Sequence, residues 1–256
     1  MEQSKLYKVL QTFSRSDWRG LERWVQSPSF NLRQDVIALF QLLKNYISEQ
    51  KNLPTKKDLY KQLYGTLPFN DHALRVLMSL LLKEVESFLI HEQTAQQSEY
   101  LQLQLSEVYR LRNLPKHFKS NQQKLREAQE QSPIRNAEYW LQEHQFQQTE
   151  YAFESGQRRT GQLNLQAVSD SLDVYYLAAK LRCVCVAISH QAVYKTEYDF
   201  GLLETVLHEV KQKNYLQHPA ILVYHAYYLA ITENTTDAYF QHFVQYIQEY
   251  ENMFPH

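Results

Sequence analysis

Glycine and proline are scarce in this chain of 256 residues, which has only 5 Gly and 7 Pro. Tight turns depend on them, because Gly tolerates a positive φ and Pro presets the φ of a turn position. An all-β fold needs many such turns, and a phosphate-binding loop needs clustered glycines. Helices need neither, and the exposed stretches are rich in good helix formers such as Glu, Gln, Leu and Lys. The sequence therefore predicts an all-α fold.

Capping residues divide the first third of the chain into several helices. Ser, Thr and Asn side chains accept hydrogen bonds from the free N–H groups at a helix start. Residues of these types precede stretches with a helical apolar pattern, and the candidate caps are Ser4, Ser14 or Ser16, Asn31, Thr55 and Asn70. We expect Pro28 to end the second helix and Gly65 to close the fourth as a left-handed C-cap. The predicted domain is a basic N-terminal module of several helices over residues 1–92.

The middle of the chain is rich in Gln but keeps a helical period. Leu101, Leu105, Val108 and Leu111 fall on one side of a helix, so we expect them to form its buried face. Residues 155–161 are the clearest loop in the sequence and predict an approximate module boundary. The predicted second domain is a Gln-rich helical connector over residues 93–160.

Aromatic residues concentrate in the last third, where 11 of the 19 Tyr lie at or after Tyr175. Residues 170–193 and 219–232 are apolar on all sides, which predicts helices covered on both faces. Residues 200–213 and 237–251 are amphipathic, and the 37 residues from Phe200 to Asp237 are close to a two-helix repeat. The predicted third domain is an acidic, Tyr-rich helical-repeat module over residues 161–256. This alternation is typical of antiparallel helical hairpins stacked as a two-layer α-solenoid.

The two halves of the chain carry opposite charge. Residues 1–126 hold 19 Lys and Arg against 12 Asp and Glu, a net charge of +7, whereas residues 127–256 hold 8 against 16, a net charge of −8. Such asymmetry indicates two modules with different partners or a head-to-tail association. A chance drift of solvated charge explains it equally well.

The sequence predicts a cytoplasmic protein with no membrane partner. Its first residues lack the apolar core of a signal peptide, and no uncharged apolar run reaches the ~18 residues that span a bilayer. Cys183 and Cys185 lie two positions apart in a helical pattern. Their side chains therefore point to nearly opposite faces, where they neither bond each other nor share a metal.

Motifs for catalysis and metal binding fail on their spacing. His91-Glu92 and His208-Glu209 lack a second His at the fifth position of a helical metalloprotease motif, where Ala95 and Gln212 stand. Burial among apolar residues raises the pKa of a mid-helix thiol, and the chain contains no Gly-rich phosphate loop or nucleophile elbow. We therefore predict a protein that is not an enzyme, with no cofactor, catalytic residue or metal.

A binding function is the leading prediction. Lys180 and Arg182 are the only charged residues between positions 174 and 189, where they either extend their charges to solvent or bind a partner's carboxylate. Tyr227 and Tyr228 lie on a neighbouring predicted helix, and Tyr rings are common at interfaces. Lys180, Arg182, Tyr227 and Tyr228 are the predicted partner-binding residues of a non-enzymatic protein- or peptide-binding scaffold.

The basic N-terminal module suggests an alternative function. Residues 55–90 have the order of a helix, a short turn and a long helix, as in a helix-turn-helix, with His72 and Arg75 at the start of the second helix. The exposed charges of that helix are mixed in sign, however, as at Lys83 and Glu84. The alternative prediction is a DNA-associated regulatory protein that contacts nucleic acid through His72 and Arg75.

Two stretches of the chain resemble a family of bacterial helical-repeat proteins without an assigned function. They are residues 27–31, Ser-Pro-Ser-Phe-Asn, and residues 175–185, Tyr-Tyr-Leu-Ala-Ala-Lys-Leu-Arg-Cys-Val-Cys; Leu59-Tyr60 and residues 78–81 are also similar. The resemblance implies a tetratricopeptide-like α-solenoid and no known activity. Members of the family continue beyond a Phe-Pro pair like Phe254-Pro255, so we expect this chain to be an N-terminal fragment of a longer protein.

Overall fold

A computed structural model describes residues 3–48, 53–157, 161–233 and 237–254, and most of these residues are helical. These ranges contain no β-strand, which confirms the predicted all-α class. Their twelve α-helices are α1 Lys5–Leu10, α2 Arg15–Gln26, α3 Gln34–Ser48, α4 Lys56–Tyr64, α5 Asp71–Ala95, α6 Ser98–Leu111, α7 Pro115–Gln131, α8 Ala137–Gln157, α9 Leu165–Tyr194, α10 Leu203–Gln212, α11 Pro219–Thr232 and α12 Ala238–Glu249. Two short 3-10 helices, Tyr215–Gln217 and Glu251–Met253, follow α10 and α12.

Four of the predicted N-caps are confirmed, at Ser4, Ser14, Thr55 and Asn70. The start of α2 is a capping box. Ser14 Oγ accepts a hydrogen bond from the Asp17 N–H at 3.2 Å, and the Asp17 carboxylate accepts one from the Ser14 N–H at 2.7 Å. These bonds satisfy N–H groups that have no partner inside the helix, which is why short polar residues mark helix starts in a sequence.

The predicted cap at Asn31 is wrong, because α3 begins three residues later. The Asn31 side chain is buried and tightens the loop before the helix instead: its Nδ2 donates to the Val25 carbonyl at 2.9 Å, and its Oδ1 accepts from the Arg33 N–H at 3.0 Å. Gly65 does end α4 with a positive φ of 66°, but its ψ of −120° lies outside the left-handed helical region that we predicted. Only a residue without Cβ adopts such a conformation readily.

Residues 1–98 form one compact unit around α5. This helix contacts α1, α2, α3 and α4 and supplies the largest share of the buried face. The core side chains are Leu6, Leu10, Trp18, Leu21, Val25, Val36, Leu39, Phe40, Leu43, Leu59, Tyr60, Leu74, Leu77, Met78, Leu81, Val85 and Phe88. Helical spacing predicts that α5 points eight side chains inward: Leu74, Leu77, Met78, Leu81, Leu82, Val85, Phe88 and Leu89. All of them are buried or half-buried except Leu89, which is 37% exposed.

Residues 99–256 form the second compact unit. Helix α8 packs on α9, α9 also contacts α10 and α11, and α11 contacts α12. The main core of this unit consists of Ala137, Val174, Leu177, Ala178, Leu181, Val206, Val210, Ala220 and Ile221. A smaller cluster of Leu103, Leu125 and Phe146 joins α6, α7 and α8.

The prediction that α9 is covered on both faces is wrong for the residues the structure describes. One face is buried through Val174, Leu177, Leu181 and Val184, whereas Val186 on the other side is 64% exposed. Helices pack against α9 from one side only, so the apolar pattern of its second face has no partner in the described ranges. The same prediction for α11 holds, because none of its residues before Thr232 is fully exposed.

The buried face predicted for α6 is also wrong. Leu101, Val108 and Leu111 are exposed, and the helix turns Leu103 and Ser106 inward. A polar contact fixes this orientation, since Nδ2 of the buried Asn121 on α7 donates to Ser106 Oγ and to the Gln102 carbonyl, both at 2.8 Å. Buried polar groups have to find such partners, and this requirement outweighs the Leu stripe.

Two expectations lie outside the described residues. The predicted boundary loop includes positions 158–160, and the expectation of a fragment rests on Pro255 and His256, none of which is described. The division into three modules stays a prediction. None of the described helices combines the length and the apolar character needed to cross a membrane.

We predict that Gly20→Ala destabilises the first unit. Gly20 lies inside α2, and a Cβ placed there would meet the ring of Phe88 at 2.7 Å. Helix propensity favours Ala by about 1 kcal/mol, but forcing a methyl group into a packed core costs about 1–3 kcal/mol. We expect a net loss of about 1 kcal/mol in the free energy of unfolding, measured by urea denaturation with the fluorescence of Trp18 and Trp24.

Gly156→Ala is the matched control. Gly156 is also helical, in the last turn of α8, and a Cβ there would meet no atom within 4 Å. Without a steric clash, helix propensity is the only effect of the added methyl group, so this substitution should be neutral or should stabilise the protein by up to about 1 kcal/mol. A stabilising effect of Gly20→Ala would contradict the close packing of α2 on Phe88.

Candidate functional site

A cleft of about 330 Å³ opens between α11 and α12 in the second unit. Helix α11 supplies one wall, α12 supplies the other, and the residues after α12 close one end. The lining side chains are Val223, Tyr224, Tyr227, Phe243, Ile247, Glu251 and Phe254. The cleft is thus apolar and aromatic, with a single carboxylate among its lining groups.

The aromatic rings of this cleft are held by specific contacts. Tyr227 stacks on Phe243 with 4.9 Å between ring centroids, and Tyr224 meets Phe254 edge to face at 6.2 Å. The Tyr227 hydroxyl also shares a hydrogen bond with the Ser189 hydroxyl, with 3.0 Å between the oxygens. Paired rings with anchored hydroxyls lose little freedom when a ligand binds, so the walls are preformed.

Helix α12 leaves the cleft partly open. None of its side chains is fully buried, and Ile247 is 44% exposed although it lies on the apolar stripe of the helix. Helix α11, in contrast, buries Ala220, Ile221, Val223, His225 and Ala226. A rigid wall therefore faces a wall whose apolar groups still contact solvent.

Of the four predicted partner-binding residues, only Tyr227 lines this cleft. Arg182 lies outside the lining but close to it, because its guanidinium is an electrostatic neighbour of Tyr224. Lys180 is half-buried on α9 and contributes nothing to the lining. Tyr228 is directed elsewhere, where Glu204 of α10 is among its electrostatic neighbours. The structure thus places Tyr227 in the cleft and Arg182 beside its lining residue Tyr224, and it separates Lys180 and Tyr228 from both.

The Arg182 guanidinium is paired inside the unit. It forms an ion pair with the Glu138 carboxylate of α8, and this hydrogen bond raises the pKa of Arg182. Burial raises the pKa of Tyr224, an effect that the neighbouring Arg182 opposes. Arg182 therefore stays charged, links α8 to α9, and acts on the cleft by holding the Tyr224 ring in place.

The residues of the nucleic-acid alternative lie in the first unit. His72 and Arg75 are both exposed in the first turns of α5. Asp71 is placed between two cations: its carboxylate accepts from Lys56 Nζ at 2.9 Å and from Arg75, and the bond from Lys56 is the main cause of its lowered pKa. A permanent carboxylate at the start of the supposed reading helix opposes phosphate binding. The geometry adds no support to the alternative, which stays a prediction.

Catalytic and metal-binding arrangements are not found among the described residues. No group of three or more His, Cys, Asp or Glu side chains in these ranges is placed to hold a metal ion. Cys183 and Cys185 are free thiols, and burial raises the pKa of Cys185 to about 12. Burial also lowers the pKa of His218 and of His225. A protonated thiol and neutral, buried imidazoles match packing roles better than nucleophilic catalysis.

The sequence pattern identified the apolar residues of the cleft without showing that they form one. Phe243 and Ile247 lie on the apolar stripe of the amphipathic helix predicted over residues 237–251, and Tyr224 lies in the helix predicted to be apolar on all sides over residues 219–232. Phe254 was considered only as part of a chain ending. The missing information is which faces meet, since that depends on contacts between segments distant in sequence.

No protein-family model, curated protein or solved structure gives a significant match to the chain. The resemblance to bacterial helical-repeat proteins therefore stays an expectation. The case for a function rests on the geometry of the chain itself.

We predict that iodoacetamide labels Cys183 and spares Cys185 in the folded protein at pH 8. Cys183 is exposed, whereas Cys185 is buried and its pKa of about 12 leaves only on the order of 10⁻⁴ of the thiol as reactive thiolate. Tandem mass spectrometry distinguishes the two positions within one peptide. Cys183→Ser should give a folded protein that is almost unlabelled and that takes up one label in urea. Equal labelling of both thiols without denaturant would contradict the burial of Cys185.

Proposed function

We propose that the second unit is a non-enzymatic helical scaffold that binds a protein or peptide segment in the cleft between α11 and α12. In this proposal its helices stack as antiparallel hairpins in two layers, as in tetratricopeptide-like solenoids. The pattern of neighbours supports this arrangement: α8 pairs with α9, α9 contacts α11 two helices later, and α11 pairs with α12. Contacts restricted to adjacent hairpins are typical of helical repeats.

The observation that carries the proposal is the partly open apolar wall of α12 opposite the fixed rings of α11. Phe243 and Ile247 contact solvent although both belong to an apolar stripe, and Phe240 continues the exposed stripe outside the cleft. Contiguous exposed apolar surface marks interaction sites, and aromatic side chains are enriched at their centres. The volume of about 330 Å³ is at the small end of ligand pockets, which run from about 300 to 1,000 Å³. A cleft of this volume can accommodate one or two large apolar side chains of the bound protein or peptide segment.

Charge adds a second requirement for the partner. Glu251 lines the cleft, Glu249 is exposed two residues earlier, and residues 127–256 carry a net charge of −8. Complementary charge speeds association and excludes wrong partners. We therefore propose a segment that carries basic residues beside its apolar anchor.

The test is a selection from a random peptide library on the full chain, followed by affinity measurements with the Ile247→Glu variant. We expect selected sequences with large apolar residues next to Lys or Arg. Because Ile247 is 44% exposed, Glu is tolerated there, but it places a charge in the apolar cleft. Loss of a central apolar contact costs about 1–2 kcal/mol or more, so binding should weaken about tenfold.

Val186→Glu is the matched control, an apolar-to-acidic change at a 64% exposed helical position outside the cleft. It should leave the affinity for the selected peptides unchanged. If the selected peptides bound the Val186→Glu variant more weakly and the Ile247→Glu variant as tightly as the unmodified chain, the assignment of the cleft would be contradicted. A selection that enriches no sequence would contradict peptide binding.

A further inference from the structure

A second cleft in the same unit differs from the first in its chemistry. It lies between α7 and α8, has a volume of about 430 Å³, and is lined by both aromatic and charged side chains. Phe118 and Phe153 form its apolar wall, stacked at 4.0 Å between centroids and both almost fully buried. Lys119, Glu127, Glu150 and Glu154 supply charges around this wall. The cleft between α11 and α12 has one carboxylate in its lining, whereas this one has three.

Gln122 lines this cleft with an amide group that has no hydrogen-bond partner. The residue is only 4% exposed, and neither its Nε2 nor its Oε1 is bonded to any other atom of the described chain. A buried polar group without a partner costs about 1–3 kcal/mol, so such groups are rare in folded proteins and call for an explanation. An amide at the wall of a cleft offers a ligand one donor and one acceptor side by side.

The carboxylates of α8 are unevenly neutralised. Glu143, Glu150 and Glu154 follow one another at seven and four residues, which places them on one side of the helix. Arg126 of α7 binds Glu143 through two hydrogen bonds, of 2.8 and 3.2 Å. The Glu150 carboxylate has no hydrogen-bond or ion-pair partner among the described residues. It is half-buried, and this burial is the main cause of its raised pKa.

Arg126 shows which cation suits this surface. Its guanidinium lies 4.1 Å above the centre of the Phe146 ring while it forms the paired bonds to Glu143. A guanidinium is planar and weakly hydrated, so it can contact an aromatic wall and bind a carboxylate through two N–H groups. Glu150 lies on the same side of α8 as Glu143 but has no such cation among the described residues. The surface therefore favours a second cation next to Glu150.

We infer that the cleft between α7 and α8 binds the guanidinium group of an arginine, with Glu150 as its ion-pair partner and Gln122 as a hydrogen-bond partner of the ligand's amide or carboxylate. The aliphatic part of the arginine lies against Phe118 and Phe153. The guanidinium belongs either to free arginine or to an arginine side chain of a peptide. This site is independent of the cleft between α11 and α12, so either proposal can fail without the other.

Calorimetric titration of the unmodified full chain tests the chemistry directly. The probes are Nα-acetyl-arginine amide, its lysine counterpart with an ammonium group, its citrulline counterpart, which is neutral and nearly the same shape, and free arginine. We expect arginine amide to bind at least about tenfold more tightly than citrulline amide, because the neutral citrulline side chain cannot form the charge-assisted pair with the half-buried Glu150 carboxylate. The affinity of lysine amide should lie between these two. Equal binding of arginine and citrulline amides, or no binding of arginine amide at millimolar concentration, would overturn the inference.

The free amino acid separates the two sources of the ligand. Tighter binding of free arginine than of arginine amide assigns a small molecule, because the ligand's own carboxylate and ammonium then contribute. Binding of arginine amide that equals or exceeds that of free arginine assigns a peptide side chain.

Glu150→Gln locates the binding to the cleft. This substitution keeps the shape and removes a charge that burial already disfavours, so we expect the helix content to be unchanged by circular dichroism and the affinity for arginine amide to fall about tenfold. Glu130→Gln, an exposed carboxylate on α7 outside the lining, is the matched control and should leave the affinity unchanged. Equal affinities of the two variants would overturn the assignment of Glu150. If Glu150→Gln failed to fold, the comparison of arginine with citrulline on the unmodified chain would still decide.

Discussion

The burial of one face of α9 is the interaction on which the second unit depends. Leu177, Leu181 and Val184 are almost fully buried, and each such side chain stabilises the fold by about 1.5–3 kcal/mol. Ala178 and Cys185, next to them on the buried face, are small enough to let α8 and α11 approach closely. The Cys185 thiol is 3.4 Å from the Tyr224 carbonyl oxygen and donates to it. Because α9 fixes α11 in this way, it also fixes the wall of the cleft with α12.

The ion pair of Arg182 with Glu138 has a different role from this apolar contact. Both side chains are partly exposed, at 38% and 53%, and such pairs contribute only about 0–1 kcal/mol to stability. Their geometric effect is larger, since the pair joins α8 to α9 and places a positive charge beside Tyr224 of α11. Polar contacts of this kind contribute little to folding energy and decide instead where a ring at the edge of the core is held.

The local features of the fold were predictable because they depend on neighbouring residues. The caps at Ser14 and Asn70 follow from side chains that reach an N–H three residues ahead, and the inward stripe of α5 follows from its period. The face that α6 buries was not predictable, since Asn121, fifteen residues after Ser106, decides it. A hydrophobic period identifies residues that share a face; it does not say whether another helix covers that face, as the open side of α9 demonstrates.

The same limit applies to the two clefts, and it explains why no motif marked them. Tyr227 was predicted as a binding residue from its type alone, whereas Phe243 and Ile247 become wall residues only because α12 packs on α11. Gln122 and Glu150 are even harder to identify as binding residues from the sequence, since Gln and Glu are common on exposed helices. Their meaning comes from burial: an amide without a partner and a carboxylate without a cation are ordinary in water but costly inside a protein. In a helical chain without a catalytic motif, unsatisfied buried groups of this kind are therefore the most specific indication of ligand chemistry, and only the folded structure reveals them.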